Sequence, residues 1–283
     1  MSDTMIPAHA LSERVIQPRH GIAGVNLKEL WSYRELFGFL VWRNVIIRYK
    51  QTLIGIVWAV LQPVLTMIIF TAIFGHIAKL PSGGAPYTVM TFVALLPWQF
   101  FANSMSQSSN SLINSSNLIT KVYFPRLIIP ASATISGVID FLIAFIILLG
   151  LMVWYHLSFS VLLLLLPAFF FIAFIASFGI GLWLSALNVK YRDVKYVVPF
   201  LIRMGLYISP VGFISSVVPG KWRFVYSLNP MVGVIDGFRW CILGEQYIPY
   251  WPGFWASVVV VFILLCSGVI FFKTTEKTFS DII

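Results

Sequence analysis

Charge is what this chain has least of. Asp, Glu, Lys and Arg make up 10% of its 283 residues, hydrophobic residues 59%, and none of the four occurs between Lys50 and Lys79. A water-soluble fold of this length could not hide so much apolar surface, so the composition excludes one. Cysteine is nearly absent too. Cys241 and Cys266 do not form a disulfide framework, and a lone buried thiol is a small hydrophobe. No His–Cys–carboxylate cluster has metal-ligand spacing, and His76 and His156 fall near span ends. The phosphate-cradling G-x-x-x-x-G-K-[ST] loop is missing, because the one Gly-Lys pair, Gly220-Lys221, runs into Trp222. The first 52 residues contain no apolar core with a cleavage site, so the first span is expected to act as the insertion signal.

What is present is a series of apolar runs of about 20 residues, the length that crosses a bilayer. Six spans are expected, over 53–78, 87–110, 127–155, 157–189, 196–218 and 247–272. The second has a polar lower half. The third is interrupted by Asp140, the fourth is bent at most by Pro167, and the fifth carries Arg203. Residues 219–246 are too broken for a span and read as two short re-entrant or surface helices on the outer side. Within 28–52 the side chains of Leu30, Tyr33, Leu36, Phe37, Leu40 and Val41 share one helical face, opposite Lys28, Ser32 and Glu35, with Phe39 and Trp42 interrupting. That pattern suits an amphipathic helix in the membrane interface. Residues 1–27 and 276–283 read as cytosolic tails around a membrane domain at 53–275. The fold class is thus an all-α membrane protein with six transmembrane helices.

The net charge of +9 tests the topology. With a cytosolic N-terminus, fourteen Lys and Arg fall on inner segments and four on outer ones. Basic residues near span ends are retained inside, so both termini are expected in the cytosol. Nucleic-acid binding would need a basic patch on a soluble module, and there is none.

Four segments carry a resemblance covering roughly residues 28–275. They are WRNVIIRYKQTLIGIVWAVLQP at 42–63, NLITKVYFPRLIIP at 117–130, LNVKYRDV at 187–194 and SLNPMVGVIDGFRW at 227–240. In that order they resemble the permease subunit of bacterial ABC exporters for O-antigen, capsular polysaccharide and teichoic acid. The resemblance implies a homodimeric half-transporter in the inner membrane, with two separate ATP-binding subunits docked below. This chain would hold no cofactor, the partners would bind ATP and Mg, and the substrate would be a lipid-linked polysaccharide. The missing phosphate loop agrees that energy must come from a partner, and a two-fold axis is the natural symmetry.

Candidate residues follow. The inner loop offers Lys121 and Arg126 as charges and Tyr123 and Phe124 as pocket-filling anchors for the ATPase. Tyr191, Arg192 and Asp193 form either a second contact or a self-satisfied turn. Asn103, Gln107, Asn110, Asn114 and Asn117 recur every three or four residues on one expected helical face, with serines around them. Such amides either line a wet sugar pathway or bond across helices. Trp58, Phe70, Phe74, Trp98, Phe101, Tyr207 and Phe213 could stack on sugars or form core and belt. Asn229, Asp236 and Arg239 are candidates for an outer gate, the last two pairing along a short helix. An Asp140–Arg203 pair is a further expectation. No catalytic residue is expected. An integral membrane transferase would need a general base at membrane depth, and Asp140 is the one acid in a span. A secondary transporter would show paired repeats, and none is seen. Export of a drug or small lipid by the same architecture is the competing transport class, and the Leu30–Lys50 segment is expected to pass force into the span at Leu53.

Overall fold

The computed structural model describes residues 27–49 and 53–279. The expected tail up to residue 26, Lys50 with the two residues after it, and residues 280–283 lie outside the described residues. The described chain is almost wholly helical. Helix α1 (Leu27–Ser32) and α2 (Arg34–Tyr49) occupy the expected interface segment, broken once at Tyr33. Then come α3 (Leu53–Phe70), continued by a π-helical stretch Thr71–Ile77, α4 (Tyr87–Asn114), α5 (Ser116–Lys121) and α6 (Ile128–Trp154). A 3-10 turn at Val161–Leu165 leads into α7 (Leu166–Lys190), followed by α8 (Val194–Ile208), α9 (Gly220–Tyr226), α10 (Pro230–Leu243) and α11 (Trp251–Thr275). Among the described residues, four helical stretches are long and apolar enough to cross a membrane: Val60–Ile77, Ile128–Trp154, Val161–Lys190 and Trp251–Thr275.

Helix α4 is the axis of the bundle. It packs on α6, α7, α3, α8 and α10. Every residue from Val89 to Trp98 is buried, so its upper half has no lipid-facing side. The two proline helix starts show why boundaries moved. Pro167 does not bend the fourth apolar run. It sits in the first turn of α7, where its missing N–H costs nothing. Pro252 does the same for α11.

The fifth run departs most from expectation. Helix α8 stops at Ile208 instead of continuing to residue 218, because Ser209 precedes Pro210 and is held extended. Its 15 residues make a rod about 22 Å long, against a hydrocarbon core of about 30 Å. Residues 219–246 do form two short helices. α10 does not lie on a surface, since it is packed against α4, α7 and α11 with ten of its residues buried.

Small residues allow the closest crossing. At Gly179 an added Cβ would stand 2.9 Å from the backbone of Leu265, and at Gly268 one would stand 2.5 Å from the carbonyl oxygen of Gly179. Where α7 meets α11, then, main chain touches main chain, the packing that replaces a hydrophobic drive between helices in lipid. Gly268→Leu is therefore expected to cost about 1–3 kcal/mol through overpacking. Gly150→Leu, where nothing lies within 4 Å of the added carbon, should leave stability unchanged. Thermal unfolding of both detergent-purified variants checks this, and equal midpoints would remove the crossing from the account.

Candidate functional site: a polar cleft beside the interface helix

Helix α2 spends its apolar stripe on the protein. Leu40 is buried, with Tyr33, Leu36 and Phe37 packed alongside, in a core shared with Leu112, Phe124, Leu182 and Phe272. The residues that interrupted the pattern, Phe39 and Trp42, are the exposed ones, together with Trp31 and Ile47. Polar residues then tie α2 to its neighbours. Arg43 donates to Ser115 Oγ at 3.3 Å and Asn44 to Ser132 Oγ at 3.4 Å.

The carboxylate of Asp140 on α6 takes two donors from the end of α2, the guanidinium of Arg48 and the hydroxyl of Tyr49. The expected Asp140–Arg203 pair is thus replaced, and Arg203 is exposed on α8. A charge placed in a span needs a partner, and the interface helix reaches it while α8 does not. Burial, and then the adjoining carboxylate, push the Tyr49 phenol up to about 12, so it remains a donor.

Asp140 also forms one wall of a cleft of about 330 Å³. Arg48, Trp58, Gln62, Gln99, Asn103 and Gln107 supply its polar and aromatic lining, with Pro63, Leu96, Phe100, Phe141 and Ala144 as the apolar part. An exposed indole, four side-chain amides on two helices and an ion pair are the groups that bind polyhydroxylated ligands, through stacking and paired donors and acceptors.

The amide stripe divides by depth. Asn103 and Gln107 face the cleft, and Gln107 Oε1 accepts from Ser136 Oγ at 3.3 Å. Asn110 turns to α7, where its carbonyl oxygen accepts from Asn188 at 3.1 Å. Asn114 is exposed at the end of α4. Asn117 is not on the same face, because Ser115 leaves helical geometry and Asn117 belongs to α5. Around them Ser104 and Ser108 are packing residues. A Cβ on Gly137 would meet Ser104 Oγ at 2.6 Å, and one on Gly181 would meet Ser108 Oγ at 2.5 Å.

Of the aromatic candidates, Trp58 stands open at the cleft. Trp98 and Phe101 are buried and in contact, ring centroids 5.6 Å apart. Phe70 is buried between Phe74 at 5.2 Å and Tyr207 at 6.5 Å, the latter joining α3 to α8. Phe213 lies 6.4 Å from Tyr226.

The outer gate candidates staple the segment that follows α8 to α10. Arg239 is 1% exposed. Its guanidinium does not bond Asp236; it donates to the carbonyls of Phe213 at 2.8 Å, Val211 at 3.0 Å and Met90 at 3.4 Å. Asp236 accepts from Ser215 Oγ at 2.7 Å. Asn229 caps α10, accepting from the Met231 amide at 3.0 Å, and donates to Ser209 Oγ at 3.0 Å.

In the loop at 121–126 the residues are sorted by exposure. Tyr123 is 65% exposed, whereas Phe124 is 4% exposed in the chain's own core. The Phe124 ring therefore supports the loop and Tyr123 is the side chain presented outward. Lys121 is exposed, and Arg126 is turned to the C-terminal segment through Glu276. Tyr191, Arg192 and Asp193 are all exposed, with the Lys190 ammonium 5.3 Å over the Tyr191 ring. Among the described residues no group of His, Cys, Asp and Glu could hold a metal ion.

Sequence reasoning missed Gln62, Gln99, Asn188 and Glu276. Two helices' worth of glutamines around Trp58 and Asn103 was the available signal for the first two.

Comparison with known proteins gives the setting. Residues 35–243 match a family model described as ABC-2 type transporter. An O-antigen export system permease protein of Myxococcus xanthus is 26% identical over 90% of this chain and 98% of its own length. A protein of the same name from Klebsiella pneumoniae is 27% identical over 92% of this chain and 100% of its own. A polysialic acid transport protein of Escherichia coli is 24% identical over 83% of this chain and 91% of its own.

Removing one side of the Arg48–Asp140 pair should destabilise the bundle. The two side chains retain 28% and 19% exposure. Asp140→Ala is therefore expected to cost about 1–3 kcal/mol, less than the roughly 3–5 of a fully buried pair. The swapped double variant Arg48→Asp with Asp140→Arg should recover part of it. Denaturation of purified protein checks this, and a swap no better than the single change would show that no pair energy exists.

Proposed function

We propose, because this chain belongs to the ABC-2 type transporter family, that it is the membrane permease subunit of an ATP-driven exporter for a lipid-linked polysaccharide of O-antigen or capsule type. It works as a homodimer of six-span subunits in the bacterial inner membrane, with both termini cytosolic. Two separate ATP-binding subunits carry ATP and Mg. Supporting the substrate class are relatives over nearly the whole chain whose names specify O-antigen export and polysialic acid transport. Supporting the partner is the missing phosphate loop, and supporting the orientation is the bias of Lys and Arg to inner segments.

The observation that carries the reading is the cleft. Its Trp58, Gln62, Gln99, Asn103 and Gln107 offer hydroxyl-rich rings one stacking face and several donors and acceptors. A purely apolar drug in the cleft would take water from the amides of Gln62, Gln99 and Asn103 and offer them no partner, at a cost of about 1–3 kcal/mol each. The inner surface around Lys121, Tyr123, Tyr191, Arg192 and Asp193 is the proposed seat of the ATPase. Because α2 is fastened to α6 through Asp140, force on the interface helix enters the third span as well as the first. The outer segment held by Asn229, Asp236 and Arg239 is the proposed exit gate.

Two tests follow from this placement. A strain lacking the chain should accumulate lipid-linked polymer inside and display none outside, with wild-type chain restoring display. Normal display in the deletion strain, with loss of drug or lipid efflux instead, would transfer the protein to the competing class. In the complemented strain, Trp58→Ala with Gln107→Leu should lower surface polymer about tenfold, since one stacking face and one hydrogen bond are together worth on the order of 1–2 kcal/mol. The complex should still co-purify with its ATPase. Undiminished display in an assembled complex would take the cleft out of the pathway.

A further inference from the structure

The last described residues do not trail away as a tail. After α11 the chain makes a 3-10 turn, Glu276–Thr278, and the described residues close on Phe279. Phe279 is fully buried, its ring edge-on to Phe272 with centroids 5.4 Å apart, in the core that also holds Phe124 and Leu127. Glu276 holds two groups apart with its two oxygens. Oε1 accepts from the main-chain amide of Arg126 at 3.2 Å, and Oε2 accepts from the Lys273 ammonium at 2.8 Å. The Arg126 guanidinium completes the knot. It donates to the Glu276 carbonyl and lies 5.9 Å over the Phe279 ring.

The loop so held has little backbone structure of its own. Val122 ends α5, Pro125 has no N–H to give, and the next main-chain bond runs from the Ile128 amide to the Pro125 carbonyl. The carbonyl of Tyr123 accepts from Tyr33 of the interface segment at 3.4 Å. Gripped by the interface segment on one side and the end of α11 on the other, the loop can shift only if one grip yields.

We propose that the segment Glu276–Phe279 is a latch that fixes the inner loop, and that Glu276 is a positioning residue for coupling ATP hydrolysis to transport. Through it, displacement of the exposed Tyr123 is passed to the last span. The latch rests on the reading that residues 121–126 receive the ATPase.

The test uses the complete complex with its ATP-binding subunits in lipid nanodiscs and in cells. Two quantities are read: hydrogen exchange of the amides at 122–128, and polymer exported per ATP hydrolysed. In Glu276→Ala, exchange at Arg126 should rise about tenfold and export per ATP should fall by a similar factor, as expected for loss of one charge-assisted hydrogen bond. Glu276→Gln keeps an acceptor for the Arg126 amide and should recover most of both. Phe279→Ala should act in the same direction as Glu276→Ala. Unaltered exchange in Glu276→Ala overturns the latch, and raised exchange with an unaltered export-to-ATP ratio overturns its role in coupling. Tyr123→Ala separates this from the reading beneath it. If Tyr123→Ala lowers the ratio while Glu276→Ala does not, the latch alone has failed. If neither lowers it, the loop is not where the ATPase acts.

Discussion

The guanidinium of Arg239 is buried among helices, and three main-chain carbonyls from two separate segments stand in for the water it has lost. The same constraint governs the whole bundle. In an apolar solvent each polar group must find a protein partner, and each partner found fastens two elements together. Arg239 fastens α10 to the turn after α8 and to α4. Asp140 fastens α6 to the end of α2. Asn188 fastens α7 to Asn110 and to the carbonyl of Ser109 on α4. Apolar surface alone would not distinguish these helix contacts from contacts with lipid.

This logic puts mechanical joints where the polar residues are. Helix α2 is joined to α6, the loop at 121–126 to Tyr33 and to Glu276 after α11, and the segment after α8 to α10 in the core. Between the joints, crossings such as Gly179 on Leu265 rely on shape, and they move as rigid bodies if they move at all.

Several elements were legible from residues alone. The apolar runs, the loop at 121–126, the two short helices of 219–246 and the missing phosphate loop are local features, and local features are what periodicity and motifs report. The end of α8 was missed, because the apolar run to residue 218 concealed the stop that Ser209-Pro210 imposes. The stripe from Asn103 to Asn117 was read as one face because spacing cannot show that Ser115 breaks the helix.

The sequence by itself determined that this is a helical membrane chain, which runs are apolar, and that the usual phosphate loop is missing from it, because composition and motif presence need no contact map. Tertiary structure decided the pairings. Asp140 took Arg48 and Tyr49 in place of Arg203, Phe124 went into the core while Tyr123 stayed out, and Glu276 reached back 150 positions to Arg126. Partner choice depends on which helices lie side by side, and with several apolar helices of similar pattern many arrangements bury the same surface. The few polar side chains that find partners across helices, Arg48 with Asp140 and Arg239 with the carbonyl of Val211 among them, mark the arrangement this chain adopts.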